Sequence, residues 1–258
     1  MSDRPGPAPP LLFAARGLTK RYAGRTVLDG LDFDVGRGEC LVILGRSGSG
    51  KSVTLRQLNG LEKPDAGTVT FDGLEISSLA EPELFPVRRR VAMLFQSGAL
   101  FDSMTVFDNI AFPLRQHTDL SRAEVAERVR EKLAMVRLAG VEERMPADLS
   151  GGMKKRVALA RSLALDPEAV LFDEPTTGLD PMTSATIAAL MRSTQQELRV
   201  TSVVVTHDIA LARHVGDRVA FLDGGRFRFL GSWVEADRTS DPLFAAFLAG
   251  REEDEDAA

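Results

Sequence analysis

Short apolar runs and one alternating run mark out strands along this chain. "CLVIL" (40–44), "AVLF" (169–172) and "SVVV" (202–205) are apolar almost throughout. Strands read this way when both faces are covered, as in a parallel sheet between helices. "LDFDV" (31–35) alternates apolar and polar positions, as a half-exposed strand should. "FLDGGRFRFL" (221–230) sets Gly-Gly between two strand-like runs and predicts a hairpin. Elsewhere the period becomes helical. Ser121 and Glu124 have the spacing of a capping box, ahead of a helix running to about Leu138. After Pro181, the residues Ile187, Leu190, Met191 and Leu198 fall on one helical face. From about 100 to 165 the pattern is helical without an obvious strand, which predicts a helical subdomain inserted into an α/β core. One domain is expected from 11 to 249. A Pro-rich lead (1–10) and an acidic tail (250–258) flank it, both expected to lack fixed structure.

Composition narrows the picture. With 258 residues, 44% hydrophobic and 27% charged, the chain can bury a full core. A net charge of −5 and the absence of a long basic block argue against nucleic acid as a partner. The clusters "VRRR" (87–90) and "KKR" (154–156) read as solvated faces. Cys40, the one cysteine, reads as a buried strand residue, and a lone cysteine favours a reducing compartment. No apolar run approaches the roughly 18 residues that span a bilayer. The first ten residues lack the apolar stretch of a signal peptide. Work at a membrane would therefore need a partner.

The chemistry begins at "GRSGSGKS", Gly45, Arg46, Ser47, Gly48, Ser49, Gly50, Lys51 and Ser52. It follows a buried strand and opens a helix, the context of a P-loop. Its backbone amides turn toward phosphates, Lys51 reaches the β- and γ-phosphates, and the Ser52 hydroxyl can hold Mg2+. "AVLFDEP" (169–175) places Asp173 at a strand end, where a carboxylate can hold Mg2+ through water. Glu174, next to it, is the candidate general base. His207, ending "VVVTH", is placed to contact a γ-phosphate or the water near it. Gln96, after "VAMLF", is placed to touch metal or water. Tyr22, the one tyrosine, offers a flat ring before the P-loop strand for stacking on adenine.

A second phosphate-binding pattern stands far downstream. "LSGG" (149–152) puts Ser150, Gly151 and Gly152 at a helix start, where exposed amides and the dipole favour an anion. Two copies arranged head to tail would let each "LSGG" close over the nucleotide on its partner's P-loop. A two-fold dimer makes that pairing twice. "TTGLD" (176–180), ending in Asp180, would lie near the seam.

Taken in order, Tyr22, "GRSGSGKS", Gln96, "LSGGM", "AVLFDE", "TGLD" and His207 resemble the ATP-binding-cassette ATPases across residues 12 to 248. The resemblance implies an α/β P-loop NTPase core with a mostly parallel sheet, an antiparallel β part and the inserted helical subdomain. It also implies ATP and Mg2+ as cofactors, ATP hydrolysis with Glu174 as the catalytic carboxylate, and His207 as the switch histidine. Met153 departs from the glutamine usual at the end of the signature.

Within that family the stretch "LFQSGALFDSMTVFDNIAFPL" (94–114), the "GKSV" of the P-loop, Met153 and "DPLFAAFLAGR" (241–251) resemble the ATPases of Mla/Mce lipid-transport systems. That likeness implies an ATPase subunit that drives phospholipid movement between membranes. It would form a homodimer with ATP and dock a separate permease near residues 97–107. It would serve an Mce-domain lipid-binding protein from the cytoplasmic face of the inner membrane. The alternatives are the same motor in an importer of another small solute, or a soluble ATPase outside transport.

Overall fold

The computed structural model describes residues 10–251. The expected lead up to residue 9, and the tail from 252 onward, lie outside the described residues. Two sheets form the core. The first is antiparallel, in the order β2-β1-β4-β5, from β1 (Leu11–Tyr22), β2 (Arg25–Gly36), β4 (Ala66–Phe71) and β5 (Leu74–Glu75). The second has the order β10-β9-β3-β8-β7-β6. Its members are β3 (Cys40–Leu44), β6 (Val91–Leu94), β7 (Ala169–Asp173), β8 (Thr201–Thr206), β9 (Arg218–Asp223) and β10 (Arg226–Ser232). All neighbours in the second sheet are parallel except the edge strand β10, which pairs antiparallel with β9. That pair is the Gly-Gly hairpin expected from the sequence.

The central strands are apolar throughout because both faces are covered. Leu41, Ile43, Val203 and Val205 pack with Leu12, Phe13, Phe71 and Leu55 between the two sheets. Their neighbours Val42, Leu44 and Val204 point the other way, into a cluster with Val157, Leu159, Ile187 and Leu211. Successive strand side chains face opposite sides, so each run must be apolar at every position. Cys40 is buried in the second cluster, and burial pushes its thiol pKa well up, with Asp217 adding to the shift.

Helices α1 (Lys51–Leu58) and α2 (Glu81–Arg90) precede β6. Between β6 and β7 come α3 (Val106–His117), α4 (Arg122–Met135) and α5 (Gly151–Ser162), with no strand. This is the expected helical insertion. The Ser121 hydroxyl caps α4 by accepting from Glu124 N, and the Ser121 amide donates in return to Glu124 Oε2, a complete capping box. The helix stops at Met135 rather than near Leu138; the chain turns there, and Leu138 is buried from the loop. Helix α6 (Pro181–Leu198) buries Ile187, Leu190 and Met191, but Leu198, at its last turn, is 37% exposed. Helices α7 (Ile209–Val215), α8 (Trp233–Ala236) and α9 (Pro242–Leu248) complete the chain. Among the described residues no helix is long and apolar enough to cross a membrane.

Neither basic cluster is a simple solvated face. Arg90 pairs with both Asp72 and Glu168, and Arg37 with the same two carboxylates, so four side chains tie the two sheets together. In the other cluster Lys155 is 7% exposed.

Candidate active site

The parallel strands set the site. β8 lies between β3 and β7, and the register pairs Leu44 with Thr206 and Asp173 with Val205. The carboxyl ends of all three strands therefore open onto one crevice, where α/β sheets bind their ligands. β3 delivers the P-loop, β7 delivers Asp173 and Glu174, and β8 delivers His207.

The loop turns into α1 at Gly50, whose φ of 107° is left-handed. A Cβ there would lie 2.6 Å from Leu28 Cδ2 and 3.0 Å from the Val27 carbonyl, so space and conformation both demand glycine. The buried Lys51 ammonium donates to the carbonyls of Gly45 (2.7 Å) and Arg46 (3.0 Å). It stands 3.4 Å from Glu174 Oε1. The Ser52 hydroxyl donates to Asp173 Oδ1 at 2.8 Å, joining the first turn of α1 to the end of β7. Burial, with a smaller push from Glu174, raises the Asp173 carboxyl above the usual range against the pull of the Ser52 bond.

Glu174 holds a positive φ of 47°, uncommon for a residue with a Cβ. Its amide donates to the Val205 carbonyl at 3.0 Å, which fixes that conformation. Its Oε2 accepts from Thr177 and Thr206 hydroxyls at 3.3 Å and lies 2.9 Å from His207 Nδ1. A carboxylate held by a lysine, a histidine and two hydroxyls is positioned to take a proton from a water in the crevice.

A cavity of about 1110 Å3 lies over these groups, lined by Arg46, Ser47, Gly48, Gly50, Lys51, Ser52, Gln96, Glu174 and His207. One wall was not legible in the sequence. Phe247, Gly250 and Arg251 line the cavity from the end of α9. Phe244 stacks on Phe221 of β9 at 4.9 Å and anchors that helix. The apolar "PLFAAFL" was visible, but only the tertiary packing brings its far end to the P-loop.

Other expected site residues lie elsewhere. Tyr22 is outside the lining. Its hydroxyl is hydrogen-bonded to Glu62, and burial together with Glu62 pushes its pKa up to about 12. Ser150 caps α5 by accepting from Met153 N, and Asp180 caps α6 by accepting from Thr183 N and Oγ1. Gly152 is buried against α6, where a Cβ would sit 2.4 Å from Thr183 Cγ2. Thus Ser150, Gly151, Gly152 and Asp180 gather at the starts of two packed helices and do not line their own chain's cavity.

The donor set suits a phosphate-bound divalent ion. Ser49 Oγ is buried with no hydrogen-bond partner among the described residues, an unspent donor in the P-loop. Among the described residues no group of three His, Cys, Asp or Glu side chains would hold a metal. An ion held by Ser52 and Asp173 would have to complete its shell with phosphate oxygens and water, as Mg2+ does.

The family model described as "ABC transporter" matches residues 28–177. The probable ribonucleotide transport ATP-binding protein mkl of Mycobacterium leprae is 40% identical over 92% of this chain, which spans 68% of that protein. The intermembrane phospholipid transport system ATP-binding protein MlaF of Escherichia coli is 41% identical over 91% of this chain and 87% of its own length. Among solved structures, a dimeric ATP-binding cassette in a post-hydrolysis state with ADP and Pi matches with a TM-score of 0.80 and 34% identity. The match covers 86% of this chain and 98% of that one.

Proposed function

This chain belongs to the ABC transporter family as an ATP-binding ATPase, and from that premise we propose that it drives phospholipid transport between membranes through a separate permease. The observation that carries the substrate class is the match to MlaF along 87% of that protein's length. Residues 11–249 form the ATPase domain in this reading. Two copies close on ATP, each Ser150–Gly151–Gly152 helix start meeting the nucleotide on its partner's P-loop, with Asp180 at the seam. The match to a dimeric cassette supports this arrangement. The permease docks at residues 97–107, where Phe101 is exposed and its ring lies 5.1 Å from that of Phe112. An Mce-domain protein receives or supplies the lipid, and the subunit sits at the cytoplasmic face of the inner membrane.

Hydrolysis follows from the crevice. The P-loop amides and Lys51 hold the phosphates in line. Ser52, Asp173 and Gln96 would hold Mg2+, which would offset the phosphate charge. Glu174 accepts the proton of the attacking water, and His207 orients Glu174 through the 2.9 Å contact. Tyr22, exposed beyond the cavity lining, would offer its ring to the adenine end of the nucleotide.

The comparable identity to mkl favours a second reading, the same motor serving a ribonucleotide transporter. Affinity purification of the chain from gently solubilised membranes of its native cell separates the two. A multi-span permease with an Mce-domain protein and bound phospholipid is the expected recovery. A permease with a solute-binding protein and no lipid would overturn the lipid reading and leave the ATPase in place.

A further inference from the structure

The basic cluster after the signature contains a buried cation that the hydrolytic site does not use. Lys155 is 7% exposed and has no carboxylate at ion-pair distance among the described residues. It lines a small apolar cavity together with Leu94, Leu159, Phe172 and Met191. Burial lowers its pKa, and the fields of Asp173 and Glu174 oppose that shift. An ammonium held this way costs stability unless its few contacts matter. Among the described residues its hydrogen bond goes to the main-chain carbonyl of Gln96.

Gln96 is the loop residue that enters the nucleotide cavity. The same loop is gripped again further along α5. Arg161 donates to the Gly98 carbonyl at 3.2 Å, and its guanidinium lies 5.6 Å from the centre of the Phe101 ring. Arg161 is also partly buried, and desolvation lowers its pKa. Two cations of one helix thus hold three residues of the loop that follows β6. That helix is the one whose first turn carries Gly151 and Gly152, with Ser150 as its cap.

We propose that Lys155 is a positioning residue for ATP hydrolysis: its bond to the Gln96 carbonyl makes the signature helix set where the Gln96 side chain stands in the cavity. Arg161 pins the next part of the loop, so helix and loop move as one body. A shift of α5 on dimer closure is then delivered to Gln96 without a change in the P-loop. The proposal rests on the proposed placement of Gln96 at metal or water.

The test is steady-state hydrolysis by the membrane complex recovered with the full chain, normalised to nucleotide-binding sites. Lys155→Met is expected to lower kcat about 10-fold with the KM for ATP changed less than about 2-fold, because positioning, not affinity, is lost. Lys155→Arg, which keeps a donor, should restore most of kcat. The double variant Lys155→Met with Gln96→Ala should be no slower than Gln96→Ala alone, since Lys155 acts through the side chain that Gln96→Ala removes. A merely structural lysine would lower the thermal midpoint and leave kcat per site unchanged. If Lys155→Met does not assemble, Lys155→Leu, which also lacks a donor, replaces it with the same expectations. Wild-type kcat in the charge-deleted variant, additive losses in the double variant, or no rescue by arginine would each overturn the positioning role. Gln96→Ala with wild-type turnover would instead remove the assignment of Gln96, and the positioning role with it.

Discussion

His207 Nδ1 stands 2.9 Å from Glu174 Oε2, and the two residues follow adjacent parallel strands, β8 and β7. Strand register therefore brings together side chains 33 positions apart. Glu174→Gln should keep ATP binding and lower turnover by about 10^2-fold or more, the usual scale for loss of a general base. The variant should run as a dimer with ATP in size-exclusion chromatography. A variant that stays monomeric with ATP contradicts the head-to-tail arrangement.

Lys51 holds the loop as well as facing the cavity, through the Gly45 and Arg46 carbonyls. Lys51→Ala is expected to abolish measurable ATP binding in calorimetry. It should also lower stability by about 1–3 kcal/mol in a denaturant titration, as lost charge-assisted bonds do. Unchanged binding would exclude the phosphate role.

Asp173 predicts a pH dependence. Its folded pKa is raised by burial, so the protonated form is the one that folding favours. Its contribution is favourable at low pH and is lost as pH rises through the folded value, leaving an ionised buried group that costs stability at neutral pH. Asp173→Asn should therefore raise the thermal midpoint at pH 7–8 in the absence of nucleotide, by about 2 °C or more. The gain should shrink as pH falls toward the carboxyl range. Hydrolysis should be lost in the same variant. A midpoint difference that does not change with pH would refute the assignment.

Gly152 separates packing from phosphate binding. A methyl there meets Thr183 Cγ2, so Gly152→Ala should cost about 1–3 kcal/mol through overpacking. Adding Thr183→Ser removes that methyl, keeps the hydroxyl that bonds Asp180, and should restore stability. Continued loss of ATP-driven dimerisation in the stable double variant would assign Gly152 a role beyond packing. Full recovery would reduce it to a spacer.

Much of this molecule was legible in local pattern. The buried strands, the hairpin, the capping box at Ser121 and the helical insertion follow from periodicity. The P-loop, Asp173 and Glu174 follow from residue type beside a strand end. Other elements left no such mark. β1 carries Arg16, Gly17 and Lys20 within its span, and α2 holds Pro82, Pro86 and three arginines, so neither shows a clean period. The role of Arg90 in α2 depends on Asp72 and Glu168, which come from separate strand ends to meet it.

The sequence by itself determined which residues can carry phosphate, metal and proton chemistry, because backbone geometry at a strand-to-helix turn is set by neighbours in the chain. Tertiary structure decided which of them share a crevice. It set Glu174 against His207, turned Lys155 inward to Gln96, brought the end of α9 to the P-loop, and left Ser150 and Tyr22 outside the cavity lining. These are long-range contacts fixed by strand order and side-chain burial, and no local pattern encodes them.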